Sequence, residues 1–258
     1  MQHLKQSLIS SYRQAEDYFW RTLSSRYLSL GDEGTAYMTG VPMSGLNCVY
    51  VRKNICAVEQ MLTTVRAFYS EEKLPFTILI PEAYCSQTRE DELQALGCPQ
   101  IGQSVAMAIE LANDETVDFK EAVLIQPVDG NLKEWIRPLT TAFNATFENA
   151  THYVAVHEKA HAQFYHFLYK DEQPVTSLTL SVHENLAGIN DVGTLPEHQG
   201  KGYATRLMHH ALRQAKQKGA QYCFLEASSQ GLAFYEKIGF RPLYTNKIFE
   251  LRREHRQQ

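Results

Sequence analysis

Residues 190–219, NDVGTLPEHQGKGYATRLMHHALRQAKQKG, constrain the fold more than any other stretch of the chain. A strand runs to about Thr194, a turn holds Pro196, and Gln199, Gly200, Lys201 and Gly202 open an amphipathic helix. Ala204, Leu207, Met208, Ala211, Leu212 and Ala215 recur at helical spacing as its apolar stripe, and Gly219 suits the residue just past its end. Glycines at a helix's first turn let a ligand approach the backbone, where unpaired N–H groups and the helix dipole favour anions such as phosphates. Two familiar phosphate loops do not fit. In a Walker A loop Ser or Thr follows the lysine and a second glycine stands five positions before Gly200, whereas here Gly202 follows Lys201. A dinucleotide fingerprint requires glycine where Thr205 stands.

Around this segment strand-like and helix-like stretches alternate, the pattern of an α/β fold. Residues 3–29 carry Leu4, Leu8, Tyr12, Tyr18, Phe19 and Leu23 at near-helical intervals, with Gly31 and Gly34 ending the helix. Residues 47–53, 76–80 and 104–111 read as strands, and 58–72 and 89–96 as helices. Further strands are expected at 122–128, 162–170 and 175–182, helices near 131–145 and 148–160, and a hairpin turn at 183–185. The acidic segment 111–121 reads as a connector, so the chain divides near residue 116 into lobes 1–115 and 116–258. Helix end, buried strand, short helix with a Leu-Gly or Ile-Gly exit and final strand follow one another at 71–111 and again at 216–251. This order reads either as a pseudo-repeat of half-domains or as two unrelated α/β stretches.

Composition narrows the partners. Lys and Arg total 25 against 29 Asp and Glu, a formal net charge of -4, which argues against a general nucleic-acid binder. Between His198 and Leu225, however, stand Lys201, Arg206, Arg213, Lys216 and Lys218 and no acidic residue, which suits a phosphate-bearing small ligand. With 44% hydrophobic residues in 258, the chain can bury a large core in one or two domains. No run reaches the roughly 20 apolar residues of a membrane span, and the start lacks the pattern of a secretory signal. Cys48, Cys56, Cys85, Cys98 and Cys223 are irregularly spaced without a CxxC pair, which fits reduced thiols in a cytoplasmic setting.

Gln199-x-x-Gly202-x-Ala204 matches the Gln/Arg-x-x-Gly-x-Gly/Ala motif of the GNAT superfamily of acyl-CoA-dependent N-acetyltransferases. With FLEAS and FYEKIGF following it, the stretch 122–252 resembles that family's central strand, pyrophosphate helix, next strand and short final helix. The N-terminal lobe is similar only in arrangement, because no glycine cradle opens the helix after NCVYVRK. The resemblance implies a GNAT-like mixed central sheet flanked by helices, with two GNAT-like lobes in tandem and a cofactor site in the second alone. It implies acetyl-CoA as cosubstrate, no metal, and transfer of an acetyl group to a primary amine, on a small molecule or a protein, by direct attack in a ternary complex. The pantetheine arm would then lie along Val192, Gly193 and Thr194, whose N–H groups polarise the thioester carbonyl. The pyrophosphate would rest on the N–H groups of Gln199, Gly200, Lys201, Gly202, Tyr203 and Ala204, with Thr205 close by. Ser228 stands where the family often has asparagine. Tyr235 would protonate the departing thiolate, and its counterpart in the first lobe, Leu93, has no proton to give.

The attacking amine must be neutral, so a base is needed near the central strand. Asp191 and Glu226 are the candidates from neighbouring strands, with Glu184 at the hairpin a third. A non-catalytic acyl-CoA sensor is the alternative reading. His157-Glu158-Lys159-Ala160-His161 fits the HExxH zinc pattern, but at a helix-to-strand junction, with no third ligand on a following helix, polar residues at a helix end are expected. His209 and His210 read as surface or interface residues and Cys223 as a buried, inert thiol. No motif selects the acceptor amine. The chain is expected to be a monomer or homodimer without nucleic-acid or membrane partners.

Overall fold

The computed structural model describes residues 2–111, 125–127 and 132–251. The border expected near residue 116 and most of the acidic segment lie outside the described residues. In chain order, the elements begin with α1 (Gln2–Leu23), β1 (Arg26–Ser29), β2 (Gly34–Met38), β3 (Asn47–Val51), α2 (Val58–Ser70), β4 (Thr77–Pro81), α3 (Gln87–Ala95) and β5 (Gln100–Glu110). They continue with β6 (Ile125–Pro127), α4 (Lys133–Ala142), α5 (Phe147–Lys159), β7 (Phe164–Asp171), β8 (Gln173–His183) and β9 (Leu186–Thr194). The last are α6 (Tyr203–Gln217), β10 (Tyr222–Ser228), α7 (Leu232–Ile238) and β11 (Arg241–Glu250).

By their contacts these elements form two units that are not consecutive in the chain: Met1–Leu23 with Ala106–Leu243, and Ser24–Val105 with Tyr244–Gln258. In the second unit the strand order is β1-β2-β3-β4-β11, all neighbours antiparallel except β3 and β4. The core under it joins Val49, Ile78, Ile80 and Phe249 to Met61, Leu62, Val65 and Phe68 of α2. The first unit has the order β5-β10-β9-β8-β7-β6, with β9 and β10 parallel and β6 through β9 antiparallel in succession. Leu207, Met208, Ala211, Leu212 and Ala215 of α6 are buried as the stripe requires, and Ala204 is half-buried. Helices α1 and α4 pack on β8 and β9 of the same unit.

The N-terminal helix is shorter than its periodicity suggests. It stops at Leu23, and Ser25 then donates both its N–H and its hydroxyl to the Met38 carbonyl, drawing 26–29 into β1 instead. Leu4 is exposed, and the buried stripe is Tyr12, Ala15, Phe19 and Leu23.

The repeat is real in topology. An antiparallel pair, a helix and a parallel third strand occur as β2-β3-α2-β4 and as β8-β9-α6-β10. The short helices that follow end alike. Cys98 N–H donates to Leu93 O over 2.8 Å and Phe240 N–H to Tyr235 O over 3.1 Å, across Gly97 and Gly239 at φ +82° and +114°. Leu93 is thereby the structural counterpart of Tyr235. The two final strands then cross over: β5 brings residues 106–110 to β10, and β11 pairs antiparallel with β4.

Candidate active site

The parallel ladder between β9 and β10 joins Leu186, Ala187 and Gly188 to Tyr222, Cys223 and Phe224, and both strands run on past it. On the other side of β9 the register with β8 slips between Ser177–Gly193 and Thr179–Asn190. The slip leaves Asp191 and Val192 opposite Leu178 alone, and Asp191 adopts φ +55°. A bulge of this kind re-aims a side chain, and aspartate tolerates the left-handed region better than most residues. Beyond the bulge, Thr176 hydroxyl donates to Gly193 O at 2.7 Å, and Thr194 hydroxyl to Thr176 Oγ1 at 2.8 Å. Gly193 is glycine for packing: a Cβ there would lie 2.7 Å from Leu139 Cδ2 and 3.2 Å from Pro138 O of α4.

The turn into α6 has a different need for glycine. Gly200 and Gly202 sit at φ +74° and +81°, and a Cβ on either would meet nothing within 4 Å. Conformation, not crowding, selects them. Gly202 is the N-cap and brings no side chain to the first N–H groups of α6, at Tyr203, Ala204 and Thr205. Gln199 side-chain N–H reaches Thr194 O at 3.4 Å, and Gln199, Gly200 and Lys201 are exposed. Tyr203 donates its hydroxyl to Asp171 over 3.1 Å and packs its ring on Tyr169. The corresponding start of α2 is built otherwise. Its N-cap is Ala57 in extended conformation, Ile55 before it is buried, and the Ile55 carbonyl accepts from Arg89.

Asp191 is tied into a set of side chains from α5 and β7. Tyr153 of α5 donates its hydroxyl to Asp191 Oδ1 over 2.6 Å. Asp191 Oδ2 lies 3.6 Å from His157 Nε2, and His157 Nδ1 lies 2.9 Å from His166 Nε2 of β7. Trp135 of α4 packs on both imidazoles, at 4.7 and 4.9 Å between ring centres, and donates its indole N–H to Leu178 O. Burial pushes the Asp191 carboxyl up to about 6, against the opposing effects of the Tyr153 and Thr179 hydroxyls. Burial and the neighbouring ring hold His157 well below the ordinary imidazole value, and burial, with His161 nearby, lowers His166 to about 4. At neutral pH the site therefore presents a carboxylate against two neutral imidazoles.

The other expected residues are placed as follows. Glu226 on β10 accepts from the Tyr12 hydroxyl at 3.2 Å. Glu184 is exposed in the β8–β9 turn, at the opposite end of β9, roughly 20 Å along the strand from Asp191 at the usual rise per residue, which removes it as a base for this site. Tyr235 is half-buried against Phe234 and Phe240, its ring lies over Gly231, and burial raises its phenol to about 12. The Ser228 hydroxyl and carbonyl both accept the Gly231 N–H, closing the turn from β10 into α7.

The HExxH segment does not gather its histidines. His157 is fully buried toward His166 and Asp191, whereas His161 is exposed with Nδ1 at 3.1 Å from Glu158 O. The expectation of polar residues at a helix end holds for His161 and fails for His157, which lies in the core. Among the described residues no group of three or more His, Cys, Asp or Glu side chains could hold a metal. His209 and His210 are half-buried, with His210 edge-on to Phe167. Cys223 is fully buried, and burial raises its thiol. Tyr153 went unnoticed in the sequence, where Tyr12 was placed in an apolar helix stripe and His166 on a strand, neither with a part in the site; for His166 the alternation of Phe164, His166 and Leu168 along β7 was a usable signal.

Residues 131–240 match the family model described as the Acetyltransferase (GNAT) family. Over 77 residues the chain is 35% identical to the uncharacterized N-acetyltransferase YobR of Bacillus subtilis (strain 168), a match spanning 28% of this chain and 31% of that relative. The chain thus covers about a third of that relative's length. Among solved structures it is similar to a GCN5-related N-acetyltransferase from Kribbella flavida, with TM-score 0.68, 17% identity and coverage of 95% of this chain and 97% of the other. A tandem GNAT protein from the clavulanic acid biosynthesis pathway gives TM-score 0.53 at 12% identity, covering 84% of this chain and 78% of that one. At such identities the structural likeness speaks for the fold.

Proposed function

We propose, from the premise that residues 131–240 form a domain of the GNAT acetyltransferase family, that the chain moves an acetyl group from acetyl-CoA to a primary amine in a ternary complex. One observation carries the reading. The end of β9 joins the bulge that aims Asp191 to the glycine turn that opens α6 with uncapped N–H groups. An extended arm can add to β9 beyond its ladder with β10, bonding Val192, Gly193 and Thr194 as a further strand would. The N–H groups from Gln199 to Ala204, with the Thr205 hydroxyl and Lys201 beside them, suit a pyrophosphate. Ser228, engaged by Gly231, would contribute through its exposed position at the end of β10.

Asp191 takes the proton of the attacking amine, and Glu226, held by Tyr12, is the second candidate. A carboxyl near 6 is ionised at neutral pH yet more basic than an ordinary aspartate, which favours proton acceptance. Tyr235 faces a thiolate leaving group. With the phenol near 12 and an ordinary thiol near 8.5, full transfer from the phenol is uphill by about 3.5 pH units, so Tyr235 acts by hydrogen bonding to the developing thiolate. The free cysteines, four of them buried, suit a cytoplasmic setting.

The test is calorimetric titration with acetyl-CoA, followed by CoA release across a panel of amines for the parent and Tyr235→Phe. Binding with amine-dependent release, slowed in the variant, is expected. Absence of binding overturns the reading, and binding without release on any amine leaves a non-catalytic sensor.

A further inference from the structure

From Asp191 a file of buried groups leads away through α5 to β7. Asp191 Oδ2 and His157 Nε2 stand 3.6 Å apart, about half an ångström beyond hydrogen-bond distance, and neither atom completes a hydrogen bond, although the Thr179 hydroxyl also stands near the carboxylate. The next contact, His157 Nδ1 to His166 Nε2, is made at 2.9 Å. A carboxylate cannot face an imidazole lone pair favourably, so the proton of neutral His157 belongs on Nε2, and its Nδ1 then accepts from His166 Nε2–H. Trp135 packs on both rings, and Phe19 and Phe164 flank that of His157. The titratable groups facing the carboxylate are Tyr153 and His157 from α5, with His166 of β7 behind and His161 beyond it. Helix α4 adds Trp135, β8 adds Thr179, and α1 presents Phe19 to the His157 ring.

We infer that His157, fixed in one tautomer by His166, is the positioning residue for Asp191, its Nε2–H closing on Oδ2 to keep the carboxylate ionised and aimed from the bulge of β9. This rests on the reading of Asp191 as the base. The histidine of the HExxH segment thereby gains a role unrelated to metal: it acts only through Asp191 and touches neither acetyl donor nor amine.

The experiment compares pH profiles of kcat for the parent, Asp191→Asn, His157→Leu and His157→Gln, with a histidine nitrogen NMR spectrum of the parent. Asp191→Asn is expected to lose activity; if it keeps parental activity, the base reading fails and this inference falls with it. With Asp191→Asn inactive, His157→Leu should move the acidic limb upward by about one unit and lower kcat at pH 7 about twofold, with KM for acetyl-CoA unchanged. His157→Gln, which can still offer an N–H near the Nε2 position, should restore most of the limb. An acidic limb in His157→Leu that coincides with the parent's overturns the inference while leaving Asp191 as base. Should His157→Leu fail to fold, the spectrum decides: a protonated Nε2 and bare Nδ1 on His157 are expected, and the opposite tautomer overturns the assignment.

Discussion

Asp191 and His166 carry opposite pH signatures. The folded-state value of Asp191, about 6, lies above its ordinary 3.8, so between about pH 4 and 6 the folded chain holds the proton the unfolded chain has lost. Stability from this group therefore falls as pH rises through that window and stays lowered above it. Asp191→Asn removes the loss and keeps an acceptor for Tyr153. It should melt at or above the parent's temperature at pH 7.5, by at most about 2–3 kcal/mol, with the gap closing near pH 4. Thermal melts at the two pH values check this, and a variant less stable than the parent at pH 7.5 would contradict it. His166 runs the other way: its folded value of about 4 lies below 6.5, so its stability is full above 6.5 and is lost as pH falls toward 4. His166→Gln should flatten the acid-side decline of the melting temperature. Neither value was legible in the sequence, which shows an aspartate before a valine and a histidine in an aromatic strand but not what buries them.

Between α4, β9 and α6, two glycines that look alike in the sequence do different work. A Cβ at Gly193 would press on Leu139 Cα and Pro138 O, each at 3.2 Å, and main-chain atoms of a packed helix cannot step aside cheaply. Gly193→Ala should cost about 1–3 kcal/mol and lower the melting temperature by several degrees. Gly202→Ala meets open space and costs only what its φ of +81° imposes, about 1 kcal/mol, and if the proposed function holds it raises KM for acetyl-CoA by disturbing the start of α6. Melting curves and KM for both variants test the contrast; a Gly193→Ala chain that melts with the parent would refute the packing account. At this scale much was readable in advance. The stripe of α6, Gly219 at φ +90° past its end, and the strands at 47–53 and 76–80 follow from spacing of three to four or of two residues. Strands β1 and β2 were missed, because four or five residues with no strict alternation carry too little periodic signal against a preceding helix.

The molecule as a whole depends on segments that trade places. The unit containing the candidate site takes α1 from the start of the chain, with Tyr12, Phe19 and Leu23 buried, and Ala106, Met107 and Ala108 from the end of β5. A fragment of residues 116–258 lacks all of these. It should show no cooperative melt by circular dichroism, and supplying residues 1–115 in trans should restore one; a cooperatively folded, fully active fragment would refute this. The other unit likewise relies on Phe249 of β11, fully buried among Val49, Ile78 and Ile80. Phe249→Ala should cost about 3–5 kcal/mol, measured by denaturant unfolding.

Local physics made the sequence informative about the glycine turn, the amphipathic helix after it, the α/β alternation and the family those motifs resemble, because each depends on residues a few positions apart. Tertiary structure alone decided which carboxylate is joined to buried partners, with Tyr153 38 residues from Asp191 and Tyr12 214 residues from Glu226. It also decided that one histidine of the HExxH segment belongs to that network and that β5 and β11 exchange units. Side-chain periodicity marks the face a residue turns inward, but what it meets there is set by sheet order and crossing, a property of the assembled chain.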